Sequence, residues 1–430
     1  MFEEILDVKG CACGHNHTLK TRDYIVERNA MEKLPALLEK SFAGAKPLAV
    51  FDQNTYDAAY PKLKKALPDI DTLILTGEKI VPNEFQLDTV TQALKTGGFD
   101  LLLAVGAGVI TDVTRYVALK QDVPFISVPT AASVDGFVSD NAALTLNGAK
   151  VTLPAKAPDA VVADLEIIAA APLKMTASGV GDMLSKYISV ADWKIGHLIT
   201  NEYYCPFVAD LTLKAVNIIV DNIEAIRKGD IESIGTLMEG LLLSGITIQM
   251  VGITRPASSF EHHFSHYLEV TPIEGIDHDA LHGEKVGIGT VNAAKYYPIF
   301  AERLGRIFRE NLENQFSMEC VKEYYSKYPQ SVVEMVEKEN TPTITGNLNV
   351  GLLRQNFDKV RQVASEVPSS EKIVSTLRTV NGYTDYHQIG MTDEQFKETM
   401  KICCYIRNRF TLLRLMCDYR LFDFDKELTF

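Results

Sequence analysis

The feature that most constrains the fold is a change of period near residue 170. From about Lys46 to Asp164, short aliphatic or β-branched runs alternate with longer helical patterns, as in PLAVFD, TLILTG, DLLLAVG, VPFISVP and AVVADL. That alternation predicts a parallel sheet wrapped by helices. FDLLLAVGAG is apolar on consecutive residues, which a strand buried on both faces requires, so it is expected to be a central strand. After Pro172 the strand-like runs stop. Segments such as LKAVNIIVDNIEAIRK and SIGTLMEGLLLSGITIQMVG are apolar at three- and four-residue spacing, so the second half is expected to be helical. The reading is an α/β domain over residues 1–170 and an all-α domain over 171–430, with the join placed by the change of period alone.

Composition narrows the function. A chain of 430 residues, 46% hydrophobic and 23% charged, can bury two substantial cores. No uninterrupted apolar run reaches the roughly 18 residues of a membrane helix, so a soluble protein without a transmembrane segment is expected. The N-terminal MFEEILDVKG is acidic and lacks the basic and continuously apolar regions of a secretory signal, from which a cytoplasmic location is expected. The seven cysteines, Cys11, Cys13, Cys205, Cys320, Cys403, Cys404 and Cys417, follow no framework spacing and are expected to be reduced thiols. A net charge of −13 without a dense basic block argues against a nucleic-acid partner, and an anionic substrate would need a locally positive pocket.

Five stretches carry chemistry. VGAGVITDVTRYVALK places Gly106 and Gly108 between a buried strand and an amphipathic helix, where the backbone can approach a pyrophosphate and a helix N-terminus offers free N–H groups. The third glycine of the full dinucleotide pattern is absent, and a tight turn without a ligand would look similar. SVPTAASVDGFVSD supplies small hydroxylated residues beyond the next strand, the place where parallel sheets bind ligands; a solvated surface loop is the bland alternative. ASGVGDMLSKYISVADWK reads as a helix entered through Gly179 and Gly181, with Asp182 in its first turn and Lys186 one turn on, a spacing that a plain surface ion pair also explains. FEHHFSHYLE and DALHGEKVGIG hold His262, His263, His266 and His282, and five of the nine histidines lie between positions 262 and 282. His262 and His266 share a helix face, and His263 points roughly 100° away. Neutral imidazoles converging with a carboxylate suit a divalent metal, and a three-ligand Asp/His/His set leaves an open position for catalysis.

Taken together and in order, GAGVITDV, SVPTAASVDGFVSD, GVGDMLSKY, RPASSFEHHFSH and LHGEKVG closely resemble the sn-glycerol-1-phosphate dehydrogenases of the iron-containing alcohol dehydrogenase and dehydroquinate synthase-like superfamily. The likeness covers roughly residues 20 to 300. It implies a Rossmann-like dinucleotide-binding domain followed by a helical metal- and substrate-binding domain. It implies that Gly106, Ala107, Gly108, Val109 and Ile110, with Thr130, Ala131, Ala132 and Ser133, contact NAD or NADP, with Ser139 nearby and Asp52 or Asn54 at the adenosine end. It further implies that Asp182, His262 and His282 bind one divalent metal, zinc or nickel, that Asp135 and His266 are catalytic and contact the substrate, and that Asp182 also touches it; His263 is left without a role. The implied reaction is reversible reduction of dihydroxyacetone phosphate to sn-glycerol 1-phosphate, a step of phospholipid metabolism, in a homo-oligomer.

Arg255 and Lys285 flank the histidine motifs and are the candidate phosphate cations, with surface solvation as the alternative for each. A glycerol or other polyol dehydrogenase sharing the metal triad is the nearest rival, a dehydroquinate synthase ranks third, and an inactive metal- or nucleotide-binding sensor is the rival from another class. CACGHNH stands apart from the core motifs: Cys11, Cys13, His15 and His17 form a possible zinc or redox ligand set, or a flexible terminus. Cys-x-Cys is tighter than the usual finger spacing, and ligands so close in sequence would strain to close a tetrahedron.

Overall fold

The computed structural model describes residues 7–429; the first six residues of the acidic N-terminus, on which part of the export argument rests, lie outside the described residues. A two-stranded antiparallel hairpin, β1 (Asp7–Val8) and β2 (His17–Thr18), comes first. The main sheet comprises β3 (Asp23–Glu27), β4 (Pro47–Phe51), β5 (Asp71–Ile74), β6 (Leu101–Gly106), β7 (Phe125–Pro129) and, after a second hairpin of β8 (Asn141–Leu146) and β9 (Ala149–Pro154), β10 (Ala160–Asp164). Its order is β3-β10-β7-β6-β4-β5, with every neighbouring pair parallel. Strand β6 is central, as its unbroken apolar run predicts. Leu101, Leu103 and Val105 enter one core with Phe51 and Val128, and Leu102 and Ala104 enter the other with Val50 and Ile110. Helices α1 (Leu34–Ser41) and α2 (Gln53–Ala66) supply Leu34, Leu37, Ala59 and Leu63 to the first face. Helices α3 (Glu84–Gly97) and α4 (Gly108–Gln121) supply Val90, Leu94, Val113 and Val117 to the second.

This topology has a switch point. After β4 the chain crosses through α2 to β5 on one side, and after β6 it crosses through α4 to β7 on the other. Neighbouring strands whose connections diverge open a crevice beyond their carboxyl ends, where doubly wound sheets bind ligands. Asp52 and Gly106 stand at those two strand ends.

Two parts of the sheet region differ from the sequence reading. The edge strand β3 begins at Asp23, well before Lys46, and pairs along its length with β10. The β8–β9 hairpin turns at Asn147 and Gly148, with φ of 50° and 76°, the double positive φ of a primed two-residue turn that Asn-Gly favours.

Beyond β10 the described residues contain helices and no strand. The first are α5 (Leu165–Ala169), α6 (Leu173–Leu184) and α7 (Lys186–Thr200); α8 (Pro206–Asp221) and α9 (Ile223–Arg227) then lead into α10 (Ile231–Val251). The chain forms two compact units: residues up to Gly179 together with Asn217–Gly252, and Val180–Val216 together with Ile253 onward. A single boundary near residue 170 therefore does not describe the path. Helix α10 packs within the first unit on β2, β3, α5 and the turn Gly136–Val138. It is apolar on nearly every side, so its period shows that it is buried without showing in which core. It is also the one helix among the described residues long and apolar enough to cross a membrane by length and composition, and 83% of that window is buried. In the second unit α11 (Phe260–Val270) and α12 (His282–Arg303) pack on each other and on α7, with the helix Val350–Glu366 against α7 and α12.

Candidate functional site

In the first unit, the residues expected at the dinucleotide line the switch point. Ala107 is the N-cap of α4 and offers no side-chain cap, so the first N–H groups of that helix are left for another acceptor. A Cβ on Gly106 would lie 2.7 Å from Ile110, whereas one on Gly108 would meet nothing closer than Val134 at 3.8 Å. Gly106 is thus required by the turn itself, while the missing side chain of Gly108 leaves space that the protein does not fill. Val109 is partly buried beside the fully buried Ile110. Thr130, Ala131, Ala132 and Ser133 follow β7 as a buried loop, anchored by the Thr130 N–H on the Gly106 carbonyl at 3.3 Å and the Ser178 hydroxyl on the Ser133 carbonyl at 2.9 Å.

Asp52 is engaged structurally: it caps α2, its carboxylate accepting from the Thr55 N–H at 2.8 Å, and Asn54 lies in the first turn that follows. Ser139 accepts from the Asn141 N–H at 3.0 Å, and Asp135 accepts the Ser244 hydroxyl of α10 at 2.7 Å. The buried guanidinium of Arg115, unremarked in the sequence, holds this loop by donating to the carbonyls of Gly136, Phe137 and Asn141.

In the second unit, one ligand atom each from Asp182, His262 and His282 lies within 4.8 Å of the others. Asp182 is in the last turn of α6, not the first turn of a new helix. Gly179 and Gly181 sit inside α6 because backbone presses on it there: a Cβ would come within 2.1 Å of the Ala132 carbonyl oxygen and 2.2 Å of the Gly283 carbonyl oxygen. Read as helix-openers, they place the helix start about two turns too late. Lys186 is likewise no surface partner. Both side chains are wholly buried, with Nζ donating to Asp182 Oδ1 at 2.9 Å and to the Ala257 carbonyl at 3.1 Å. Burial raises the Asp182 carboxyl, but Lys186, His262 and His282 more than reverse this and hold it well below the usual carboxylate range.

The sequence reading did not single out Glu261 and Glu269. His262 Nδ1 lies 2.8 Å from Glu261 Oε1, which also accepts the Ser259 N–H at 2.7 Å. His282 Nδ1 lies 2.8 Å from Glu269 Oε1. A carboxylate can only accept, so each imidazole donates through Nδ1 and leaves Nε2 for a ligand or a proton. His262 Nε2 faces Asp182 Oδ1 at 3.6 Å. Carboxylate-backed histidines beside a buried carboxylate are the donor set of a catalytic metal with its supporting shell, so the residues fit a divalent ion. Against burial, which lowers it, the Asp182 and Glu261 contacts raise the His262 pKa to about 9.

His266 joins the cluster, its ring centre 5.9 Å from that of His262 and 5.8 Å from that of His282. Burial lowers its pKa to about 4 against the pull of Glu269, so its imidazole is neutral at neutral pH. His263 points into the protein, with neither ring nitrogen hydrogen-bonded among the described residues and its pKa held far down by burial. Arg255 does not offer its charge to a ligand, because it is buried and donates to Glu202, the Asp192 carbonyl and the Phe410 carbonyl. Lys285 is buried too, within 3.3 Å of the His278 carbonyl, so solvation describes neither cation.

The family profile described as iron-containing alcohol dehydrogenase matches residues 25–172. Over the whole length, the chain is 33% identical across 425 residues to the glycerol-1-phosphate dehydrogenase (NAD(P)+) of Geobacillus thermodenitrificans (strain NG80-2), covering 96% of this chain and 97% of that one. It is 34% identical across 422 residues to the protein of the same description from Geobacillus stearothermophilus, covering 96% of each. Among solved structures, it matches a 1,3-propanediol oxidoreductase with a TM-score of 0.64 at 14% identity, covering 94% of this chain and 97% of that one. It also matches a probable glycerol dehydrogenase from Sinorhizobium meliloti 1021 with a TM-score of 0.61 at 18% identity, covering 91% of each. These two structures share the fold.

Proposed function

We propose, from the premise that this chain belongs to the NAD(P)-dependent glycerol-1-phosphate dehydrogenases of the iron-containing alcohol dehydrogenase superfamily, that it reversibly reduces dihydroxyacetone phosphate to sn-glycerol 1-phosphate. The observation that carries the reading is full-length sequence likeness joined to an intact Asp182, His262, His282 set with a carboxylate behind each histidine. The fold neighbours alone do not separate this substrate from glycerol or another alcohol.

The ligands named would hold zinc or nickel, borderline ions that accept imidazole and carboxylate together. When bound, the metal supplies Lewis acidity at the C2 oxygen and the nicotinamide supplies or accepts the hydride. Glu261 and Glu269 fix the tautomer of the two ligand histidines, and Lys186 keeps Asp182 ionised at the same time. In the oxidising direction neutral His266 accepts the hydroxyl proton of the substrate, and in the reducing direction it returns a proton to the C2 oxygen. Asp135, oriented by Ser244, holds a substrate hydroxyl. In the first unit the α4 N-terminus receives the pyrophosphate across the space beside Gly108, the Thr130–Ser133 loop and Ser139 flank the dinucleotide, and Asp52 or Asn54 marks its adenosine end.

The test is oxidation of NADH and of NADPH by chelator-stripped protein with dihydroxyacetone phosphate, repeated after zinc or nickel is added. Activity should return with metal and be lost in His262→Ala. Turnover of glycerol or dihydroxyacetone with none of the phosphorylated ketone would assign the protein to polyol oxidation instead.

A further inference from the structure

The CACGHNH segment is not absorbed by any of this chemistry, yet it is folded. The turn Cys11–Gly14 is closed by the Gly14 N–H on the Cys11 carbonyl at 2.9 Å, with Gly14 at a φ of 85°. The Gly10 N–H donates to Asn16 Oδ1 at 2.8 Å, and His17 returns the chain to register opposite Val8. The result places Cys11 Sγ, Cys13 Sγ and a His17 ring nitrogen within 4.8 Å of one another. The hairpin thereby removes the strain expected of ligands so close in sequence, because pairing of β1 with β2 brings His17 back over the turn. His15 is excluded: it is exposed, and its Nδ1 lies against the Cys13 carbonyl at 3.2 Å.

The buried His17 ring is oriented. Nδ1 lies 2.7 Å from the Met250 carbonyl, an acceptor only, so Nδ1 carries the proton and Nε2 faces Cys13 Sγ at 3.5 Å. A tetrahedral zinc with a sulfur at about 2.3 Å and a nitrogen at about 2.0–2.1 Å sets those two atoms about 3.6 Å apart. A histidine that donates Nδ1–H to a backbone carbonyl and turns Nε2 toward a thiol has the supporting shell of a metal ligand already in place. We propose that Cys11, Cys13 and His17 form a second metal site, selective for zinc, that clips the N-terminal hairpin to the C-terminal turn of α10. Thiolate and imidazole together select zinc over magnesium or calcium, and both thiols lose their protons as the ion binds.

The full-length protein, loaded with zinc and freed of excess metal, should hold two zinc ions per chain by elemental analysis. Its zinc absorption fine structure should contain a sulfur shell at about 2.3 Å. Cobalt-loaded protein should show a thiolate-to-cobalt charge-transfer band in the near ultraviolet. That band should vanish in the Cys11→Ser, Cys13→Ser double variant with loss of one metal equivalent, and survive in His262→Ala. Absence of the sulfur shell and the band from the unaltered protein would overturn the proposal whether or not the variant folds, and so would a band that survives the double substitution.

Discussion

In the first unit the residues expected at the dinucleotide around Gly106 and Thr130 are mostly glycine, alanine, serine and threonine, with Val109 and Ile110 among them, and they present mainly backbone. In the second the residues assigned to the metal are Asp182, His262 and His282, and they present side chains that other buried side chains hold in place. A backbone site is made by leaving atoms out: Gly108 needs no partner, and nothing presses on it. A side-chain site is made by satisfying charge, with Lys186 on Asp182, Glu261 on His262 and Glu269 on His282. Added volume should therefore damage the first and lost charge the second.

The largest effect should come from the side-chain site. His262→Ala should lower kcat for dihydroxyacetone phosphate by about a thousandfold, since metal stabilisation is worth several kcal/mol and 1.36 kcal/mol is a factor of ten. Steady-state rates in the presence of saturating metal measure it, and a loss under tenfold would remove His262 from the ligand set. Next, Glu269→Gln keeps the shape and weakens the acceptor behind His282, so competition with a chelator should show metal affinity falling by about 10- to 100-fold with the fold intact. Unchanged affinity would mean that Glu269 merely packs there.

The backbone site should respond in the opposite sense to small additions. Gly106→Ala should destabilise the protein by about 1–3 kcal/mol, because its new methyl meets Ile110. Gly108→Ala should leave the melting temperature unchanged while weakening NADH binding about tenfold by titration of its fluorescence. Equal NADH affinity in Gly108→Ala and the parent would break the comparison on its backbone side.

A last effect, on stability and not on chemistry, concerns Asp192, behind the metal helices. It is wholly buried, accepts the Leu412 N–H at 2.9 Å and the Ser259 hydroxyl, and burial still raises its pKa to about 6. A raised folded-state pKa means stability that is fully present below the unfolded value near 3.9 and is lost as pH rises through about 6. Asp192 should accordingly cost on the order of 2 kcal/mol between pH 4 and pH 7. Denaturant titrations of the parent and Asp192→Asn at the two pH values should diverge in pH slope, and parallel slopes would show that folding does not raise the Asp192 pKa.

Strand content and the histidine cluster were legible because each rests on a local signal, whereas the convergence of Asp182 with His262 and His282 came from the resemblance. β6 announces itself by six consecutive buried residues, and His262 and His282 by their neighbours in a histidine-rich run. What escaped was non-local or ambiguous in sign. Strand β3 is stabilised by β10, more than a hundred residues away, and its own five residues are only partly buried. The β8–β9 hairpin carried a readable Asn-Gly signal that the surrounding hydroxylated loop obscured. Glu261 and Glu269 look like ordinary polar positions in a helix, and only the fold shows a histidine Nδ1 resting on each. Gly179 and Gly181 read as punctuation, although their service is to let carbonyl oxygens approach a continuous helix.

The return of α10 to the first unit bears on how the chain is made. Residues 180–216 belong to the second unit, so the first is interrupted by part of its neighbour and is not closed until Gly252. A ribosome adding about 5–20 residues each second needs roughly 4–15 s to pass from Gly179 to Gly252. Throughout that interval the nascent sheet lacks the helix that packs on β2 and β3 and holds Asp135 through Ser244. A fragment ending at 179 thus carries every strand of the main sheet and lacks the helix that packs on β3.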